Sequence, residues 1–261
     1  VVFTAYEREP AVSEAVHAAR DALAGWRRGD APLSPEGVKV ALNHRIEALR
    51  AVAALVPEHQ SRIAEAISLE MGKPISEAMI EAGSIKSKIE GVIAQLGDTL
   101  PAAPANAPGE QRFHGLGVVT VIGPFNFPIH LLNTHIIPAL ITGNTVVVKP
   151  SEVTPLCGQR YAELFHAAGF PAGVLNLVQG RGGIGAALAA HPGVNGVIFT
   201  GSYDTGRRIR QSTFDQPHKK VCLELGGKNP AVVLDDADLD QATREILLGA
   251  LLTTGQRCTA T

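Results

Sequence analysis

Five short runs rich in β-branched residues, each separated from the next by a segment of helix length, constrain this chain more than any other feature. The runs are Gly117 to Ile122, Thr145 to Lys149, Val174 to Val178, Val194 to Phe199 and Lys219 to Leu225. Between them lie His130 to Ile141, Leu156 to Ala168, Ile184 to Ala190 and Thr205 to Ser212. Parallel neighbours in a sheet need a long crossover, usually a helix. The alternation therefore predicts an α/β fold, a doubly wound parallel sheet with helices on both faces. Ligands of such sheets bind at the carboxyl ends of the strands, where the polar and glycine-rich segments of this chain fall.

The N-terminal part follows the helical period instead. Ala11 to Arg28 repeats Val12, Val16, Ala19 and Leu23, and Ser34-Pro35-Glu36 reads as an N-cap followed by proline at the first helical position. The pattern runs through Ile46, Leu49, Val52 and Leu55, breaks near Pro57, and resumes through Ile63, Ile67 and Met71 to Gly72. A further helix is predicted over Ile75 to Leu96. The prolines of Pro101 to Gly109 bar helix and central strand alike. We therefore expect one sheet-based domain from residues 1–98 and 113–225, a linker or protruding excursion at 99–112, and the start of a second α/β domain at 226–261.

Composition narrows the function. With 261 residues, 45% hydrophobic and 18% charged, the chain has room for one large domain or two smaller ones. A net charge of −2 gives no reason to expect nucleic acid or an anionic membrane as partner. Three cysteines cannot all pair within one chain, and no CxxC or His/Cys cluster suggests a metal. A reducing compartment fits them. The start, Val1-Val2-Phe3-Thr4, has no basic flank leading into an apolar core, and no run reaches membrane-spanning length, so the cytoplasm is expected.

The reactive groups stand near the end. Thr254-Gly255-Gln256-Arg257-Cys258-Thr259 presents a cysteine in a small-residue loop, and Leu223-Glu224-Leu225-Gly226-Gly227-Lys228 holds a carboxylate at a strand end. Together they supply a nucleophile and a base. A free cysteine is more often a small buried hydrophobe. Cys222, alternating with Val221 and Leu223, and Cys157, at a helix start, are read that way. Gly180-Arg181-Gly182-Gly183-Ile184-Gly185 matches G-x-G-x-x-G after a strand. The acidic residue that completes a dinucleotide fingerprint is missing downstream, where Phe199-Thr200-Gly201-Ser202 stands instead.

Gly123-Pro124-Phe125-Asn126-Phe127-Pro128, followed in order by the Glu224 and Cys258 segments, resembles the aldehyde dehydrogenase superfamily, closely over Gly117 to Thr261 and loosely before it. Phe125 replaces the tryptophan usual in the family. The resemblance implies a Rossmann-like NAD-binding domain and a cysteine thioester mechanism. Cys258 would be the nucleophile, Asn126 the oxyanion donor and Glu224 the base that activates water. NAD is the implied cofactor. Lys149 and Glu152 would meet its adenosine ribose, where a carboxylate repels the 2′-phosphate of NADP. Gly201 and Ser202 would meet the pyrophosphate at a helix start, Gly180 would lie near the adenine, and Leu225 would complete the cofactor contacts.

His130, Asn133 and His135, taken with the cysteine segment, are most similar to the N-succinylglutamate 5-semialdehyde dehydrogenases of arginine breakdown. That implies a carboxylate-bearing aldehyde, with Arg257, His130 and Phe127 as substrate contacts. Arg257 can pair with a carboxylate through its planar fork or merely brace its own loop. The alternatives are another semialdehyde or broad-range aldehyde dehydrogenase, a coenzyme A-acylating relative, which usually lacks a base at the Glu224 position, and a non-catalytic nucleotide-binding protein. The family pattern further implies more catalytic domain beyond Thr261, including a second glutamate for the nicotinamide ribose, and a homodimer or homotetramer.

Overall fold

In the computed structural model the described residues are 2–3, 9–27, 35–99 and 113–261. The predicted N-cap at Ser34 and the proline-rich segment 101–109 lie outside them. The elements are β1 (Val2–Phe3), α1 (Glu9–Trp26), α2 (Pro35–Met71), α3 (Ile75–Ala94), α4 (Leu96–Thr99), β2 (Val118–Ile122), α5 (His130–Ile141), β3 (Thr145–Lys149) and α6 (Pro155–Ala167). After these come β4 (Leu175–Leu177), α7 (Gly182–Ala190), β5 (Gly196–Gly201), α8 (Tyr203–Ser212), β6 (Lys220–Leu225), α9 (Leu239–Leu251) and a 3-10 turn at Leu252–Gly255.

Six parallel strands form one sheet in the order β1-β4-β3-β2-β5-β6. The predicted doubly wound sheet is present, and β1 adds an edge that the helical reading of the N-terminal part did not anticipate. Strand order reverses between β2 and β5, so the crevice expected of such a sheet opens at their carboxyl ends.

Strand periodicity sorts the core into two layers. Val119, Val121, Val146 and Val148 face a cluster built with α2, α3, α5 and α6. Val118, Ile122 and Val147 face the opposite cluster, built with α1, α7 and Ile209 of α8. Every residue of β2 and β3 is buried, which accounts for continuous apolar runs in place of alternation. At the far edge β6 does alternate. Val221, Leu223 and Leu225 pack inward, while Lys220, Cys222 and Glu224 are exposed. Cys222 is therefore a correction to the packed position expected of it, because its side chain falls on the face of an edge strand that nothing in the described chain covers.

Pro57 is a second correction. α2 runs without a break from Pro35 to Met71 with Pro57 inside it, exposed. Proline inside a helix costs about 3 kcal/mol. Leu49 and Val56 before it, and Ile63 and Ile67 after it, are all buried on one stripe, and each contributes about 1.5–3 kcal/mol by burial. Burial on both sides outweighs one lost hydrogen bond.

α5 and α6 begin without local side-chain caps. Glutamates from elsewhere cap them. Glu81 Oε1 on α3 accepts the N–H groups of Ile129 and His130, each at 3.0 Å. Glu70 on α2 accepts those of Leu156 and Cys157, each at 2.8 Å. A carboxylate at a helix N-terminus satisfies orphan donors and complements the helix dipole. Beside this cap Cys157 is buried, and that burial, reinforced by Glu70, pushes its thiol far above the usual range. Removing the cap with Glu70→Ala should destabilise the protein by about 1–3 kcal/mol, because two part-buried donors lose their acceptor. Glu70→Gln should recover a good part of that in a urea titration, and an unchanged midpoint in Glu70→Ala would remove the cap from the stability argument.

Candidate active site

The loop from Gly123 to Ile129 leaves β2 at the crevice and enters α5. Asn126 lies in it, half-buried, and its Nδ2 donates to the carbonyl of Gln256 at 2.8 Å. The bond spans 130 residues of sequence and ends two residues before Cys258. Phe127 stacks edge-on with His130 at 5.9 Å between ring centroids. His130 Nδ1 lies 3.3 Å from Ser84 Oγ, and burial lowers its imidazole pKa against the opposing charge of Glu81.

The cysteine segment follows α9, whose start is capped by the Asp238 carboxylate. Thr253 and Thr254 both adopt left-handed φ, 55° and 56°. That region is uncommon for non-glycine residues and unfavourable for β-branched ones, so the turn must be held from outside. Glu77 Oε2 of α3 accepts from Thr253 N at 2.7 Å, and Asn229 Nδ2 donates to Cys258 O at 2.9 Å. Cys258 itself is a free, exposed thiol. Arg257 donates to the carbonyls of Leu248, at 3.0 Å, and Gly249 near the end of α9. This is the bracing arrangement, and its Nε remains buried without a hydrogen-bond partner.

β6 carries Glu224 to the same carboxyl edge, in register with Thr200 of β5. His135 of α5 reaches this point, with Nε2 3.3 Å from Thr200 Oγ1. Burial holds its pKa down, with the Glu224 charge opposing and Lys88 assisting the drop. Asn126, Phe127 and His130 thus stand together at the start of α5, linked through Asn126 to the cysteine segment, and Glu224 lies on the strand beside β5.

The remaining predicted cofactor residues line the same edge. Lys149 at the end of β3 is buried, which lowers its pKa, and its Nζ meets Pro150 O at 2.9 Å and Glu152 Oε2 at 3.4 Å. Burial raises the Glu152 carboxyl, but its own backbone N–H, Lys149 and Arg181 outweigh that and hold it below the usual range. Ser202 caps α8 by accepting from Thr205 N at 3.3 Å. A side chain at Gly201 would come within 2.5 Å of the Phe199 ring. Gly180 has φ +150°, and a Cβ there would meet Ile184 at 2.4 Å, so the turn into α7 requires glycine. Leu225 packs its side chain against Gly206 of α8. An ionised carboxylate with a neighbouring ammonium, and an exposed helix start two strands away, fit the ribose hydroxyls and pyrophosphate of a dinucleotide. Among the described residues no group of three or more His, Cys, Asp or Glu side chains could hold a metal ion, and no helix is long and apolar enough to cross a membrane.

Three residues the sequence reading passed over sit at the centre of this geometry. Lys73, Glu77 and Glu81 come from the turn between α2 and α3 and from the first turns of α3. One signal was available, since Glu81 interrupts the buried stripe of Ala78, Ala82, Ile85 and Ile89 at helical spacing. A charge on that stripe needs a partner.

Known proteins place the chain. N-succinylglutamate 5-semialdehyde dehydrogenase 1 of Caulobacter vibrioides is 45% identical over 253 residues, which cover 95% of this chain and 51% of that protein. N-succinylglutamate 5-semialdehyde dehydrogenase of Pseudomonas fluorescens is 42% identical, with 95% and 49% covered. The chain spans about half the length of these curated relatives. The NAD+ complex of aldehyde dehydrogenase from Bacillus cereus superposes with a TM-score of 0.83 at 35% identity, covering 97% of this chain and 50% of that one. The model of the aldehyde dehydrogenase family matches residues 3–261, and this chain belongs to that family.

Proposed function

We propose that this protein oxidises a carboxylate-bearing aldehyde, N-succinylglutamate 5-semialdehyde or a close analogue, to the acid with NAD. The observation that carries the reading is the bond from Asn126 Nδ2 to Gln256 O, which draws the β2 loop onto the segment presenting Cys258. A carboxamide has two N–H donors, so one can hold Gln256 O while the other meets a developing oxyanion. Cys258, as thiolate, adds to the aldehyde carbon, and the carbonyl π pair moves to oxygen, where Asn126 donates to it. Bound NAD supplies the hydride acceptor. Loss of hydride from the former aldehyde carbon leaves a thioester on Cys258. Glu224 takes a proton from water as its oxygen adds to the thioester carbon, and the C–S bond breaks to release the acid and the thiolate. A base at this strand end favours hydrolysis over acyl transfer to coenzyme A.

On this reading residues 1–98 and 113–225 form the NAD-binding domain, 226–261 open the catalytic domain, and 99–112 form a linker or an assembly excursion of a homodimer or homotetramer. Lys149 and Glu152 hold the adenosine ribose, Gly201 and Ser202 the pyrophosphate, with Gly180 and Leu225 framing the site. Phe127, His130 and Arg257 face the substrate side, Arg257 through the loop it braces. The relatives' names favour an anionic aldehyde. The reducing cytoplasm keeps Cys258 a thiol.

Cys258→Ala should abolish NADH formation while leaving NAD affinity within about twofold, as fluorescence titration would read. Continued turnover would sink the nucleophile assignment. Glu224→Gln should release about one NADH per site and then stall as thioester accumulates, and steady turnover would mean that another group activates water. If the variant is rescued by coenzyme A while the native enzyme also depends on it, the acylating alternative holds. Glu152→Thr should raise the NADP to NAD ratio of kcat/KM about tenfold, and a constant ratio would place the ribose elsewhere.

A further inference from the structure

We propose that Lys73 and Glu81 are positioning residues for the Asn126 carboxamide, an inference that rests on the reading of Asn126 as the oxyanion donor. Their side chains are 1% and 3% exposed, and the ammonium contacts the carboxylate directly. Desolvation offsets most of the attraction in a buried ion pair, and apolar residues of similar volume often serve stability as well. What the pair does is spend its remaining valences on one segment. Glu81 Oε1 accepts from Ile129 N and His130 N. Lys73 Nζ donates to the Asn126 carbonyl at 3.4 Å and stands 4.0 Å from the centre of the Phe127 ring. Of the five residues from Asn126 to His130, four are tied to two side chains that lie some fifty positions earlier in the chain.

Asn126 is thus gripped through its backbone from one side, and its carboxamide reaches across to Gln256 on the other. Glu77 stands one helical turn before Glu81 on α3, on the same face, and holds Thr253 of the cysteine segment. One helix therefore fixes both halves of the site, Asn126 through Glu81 with Lys73, and the Cys258 turn through Glu77. An oxyanion donor is effective only when held to within about half an ångström of the productive position, and this arrangement is what holds it.

The test uses the full-length protein and two probes of the same thiolate. Acylation by p-nitrophenyl acetate passes through an oxyanion, whereas alkylation by iodoacetamide expels iodide and forms none. The double variant Lys73→Met/Glu81→Gln removes both charges and keeps an amide oxygen for the Ile129 and His130 N–H groups. It should slow the p-nitrophenolate burst by about tenfold or more, leave the ester KM within about twofold, and leave the alkylation rate and thermal midpoint near those of the native protein. Lys73→Arg should recover much of the burst rate. Should the double variant not fold, Glu81→Asp, which keeps the charge and shortens the reach, carries the same expectation. A native burst rate in these variants, with Asn126→Ala slow, overturns the positioning role while the oxyanion reading stands. If Asn126→Ala is itself native in its burst, the oxyanion reading fails and the proposal with it. A parallel fall in acylation and alkylation shows general damage to the site and also overturns the proposal.

Discussion

The capping of helix starts by carboxylates delivered from the α2–α3 hairpin is the interaction on which the rest of this structure depends. A helix that follows a parallel strand begins at the ligand-binding edge, and its first N–H groups have no intrahelical acceptors. At α5 and α6 the residues before the helix supply no side-chain acceptor, and Glu81 and Glu70 do so instead. The carboxyl end of α5 is matched in the same way. Trp26 Nε1 donates to Leu140 O at 3.0 Å, and Arg45 Nε to Ile141 O at 2.8 Å. With negative charge at its start and positive charge at its end, α5 is aligned with its dipole and fixed at both termini by other helices. Every side chain projecting from its N-terminal turn inherits that rigidity.

The sheet supplies the second constraint. Because β2, β3 and β4 are buried on both faces, their residues cannot take part in chemistry except at strand ends. The candidate site residues collect there, Asn126 after β2, Lys149 at the end of β3 and Gly201 at the end of β5. Glu224 differs, since β6 is packed on one face only and the carboxylate occupies the open one. An edge strand can present a charge to a neighbouring space without the desolvation cost that a central strand would impose. The cysteine turn depends on this scaffold more than it contributes to it. Of its two threonines in left-handed conformation, Thr253 is held through its N–H by Glu77, and the Gln256 carbonyl is held by Asn126.

The alternation of apolar runs and helix-length segments, together with the order of the Asn126, Glu224 and Cys258 segments, determined the fold class, the strands β2 to β6, the family resemblance and the candidate groups from sequence alone, because side-chain period and local motifs are properties of neighbours along the chain. The bounds of α5 and β3 could be read directly for the same reason. The continuity of α2 through Pro57, the exposure of Cys222 and the commitment of Arg257 to α9 were decided only by tertiary structure. So were the roles of Lys73, Glu70, Glu77 and Glu81. For Glu70 and Glu77 the deciding partner lies far away in sequence, 86 residues for Glu70 with Leu156 and 176 for Glu77 with Thr253, while Arg257 turns back on carbonyls eight and nine residues before it. The free energy that selects such a conformation comes from burial and from charges brought together in a medium of low dielectric, which no local pattern encodes.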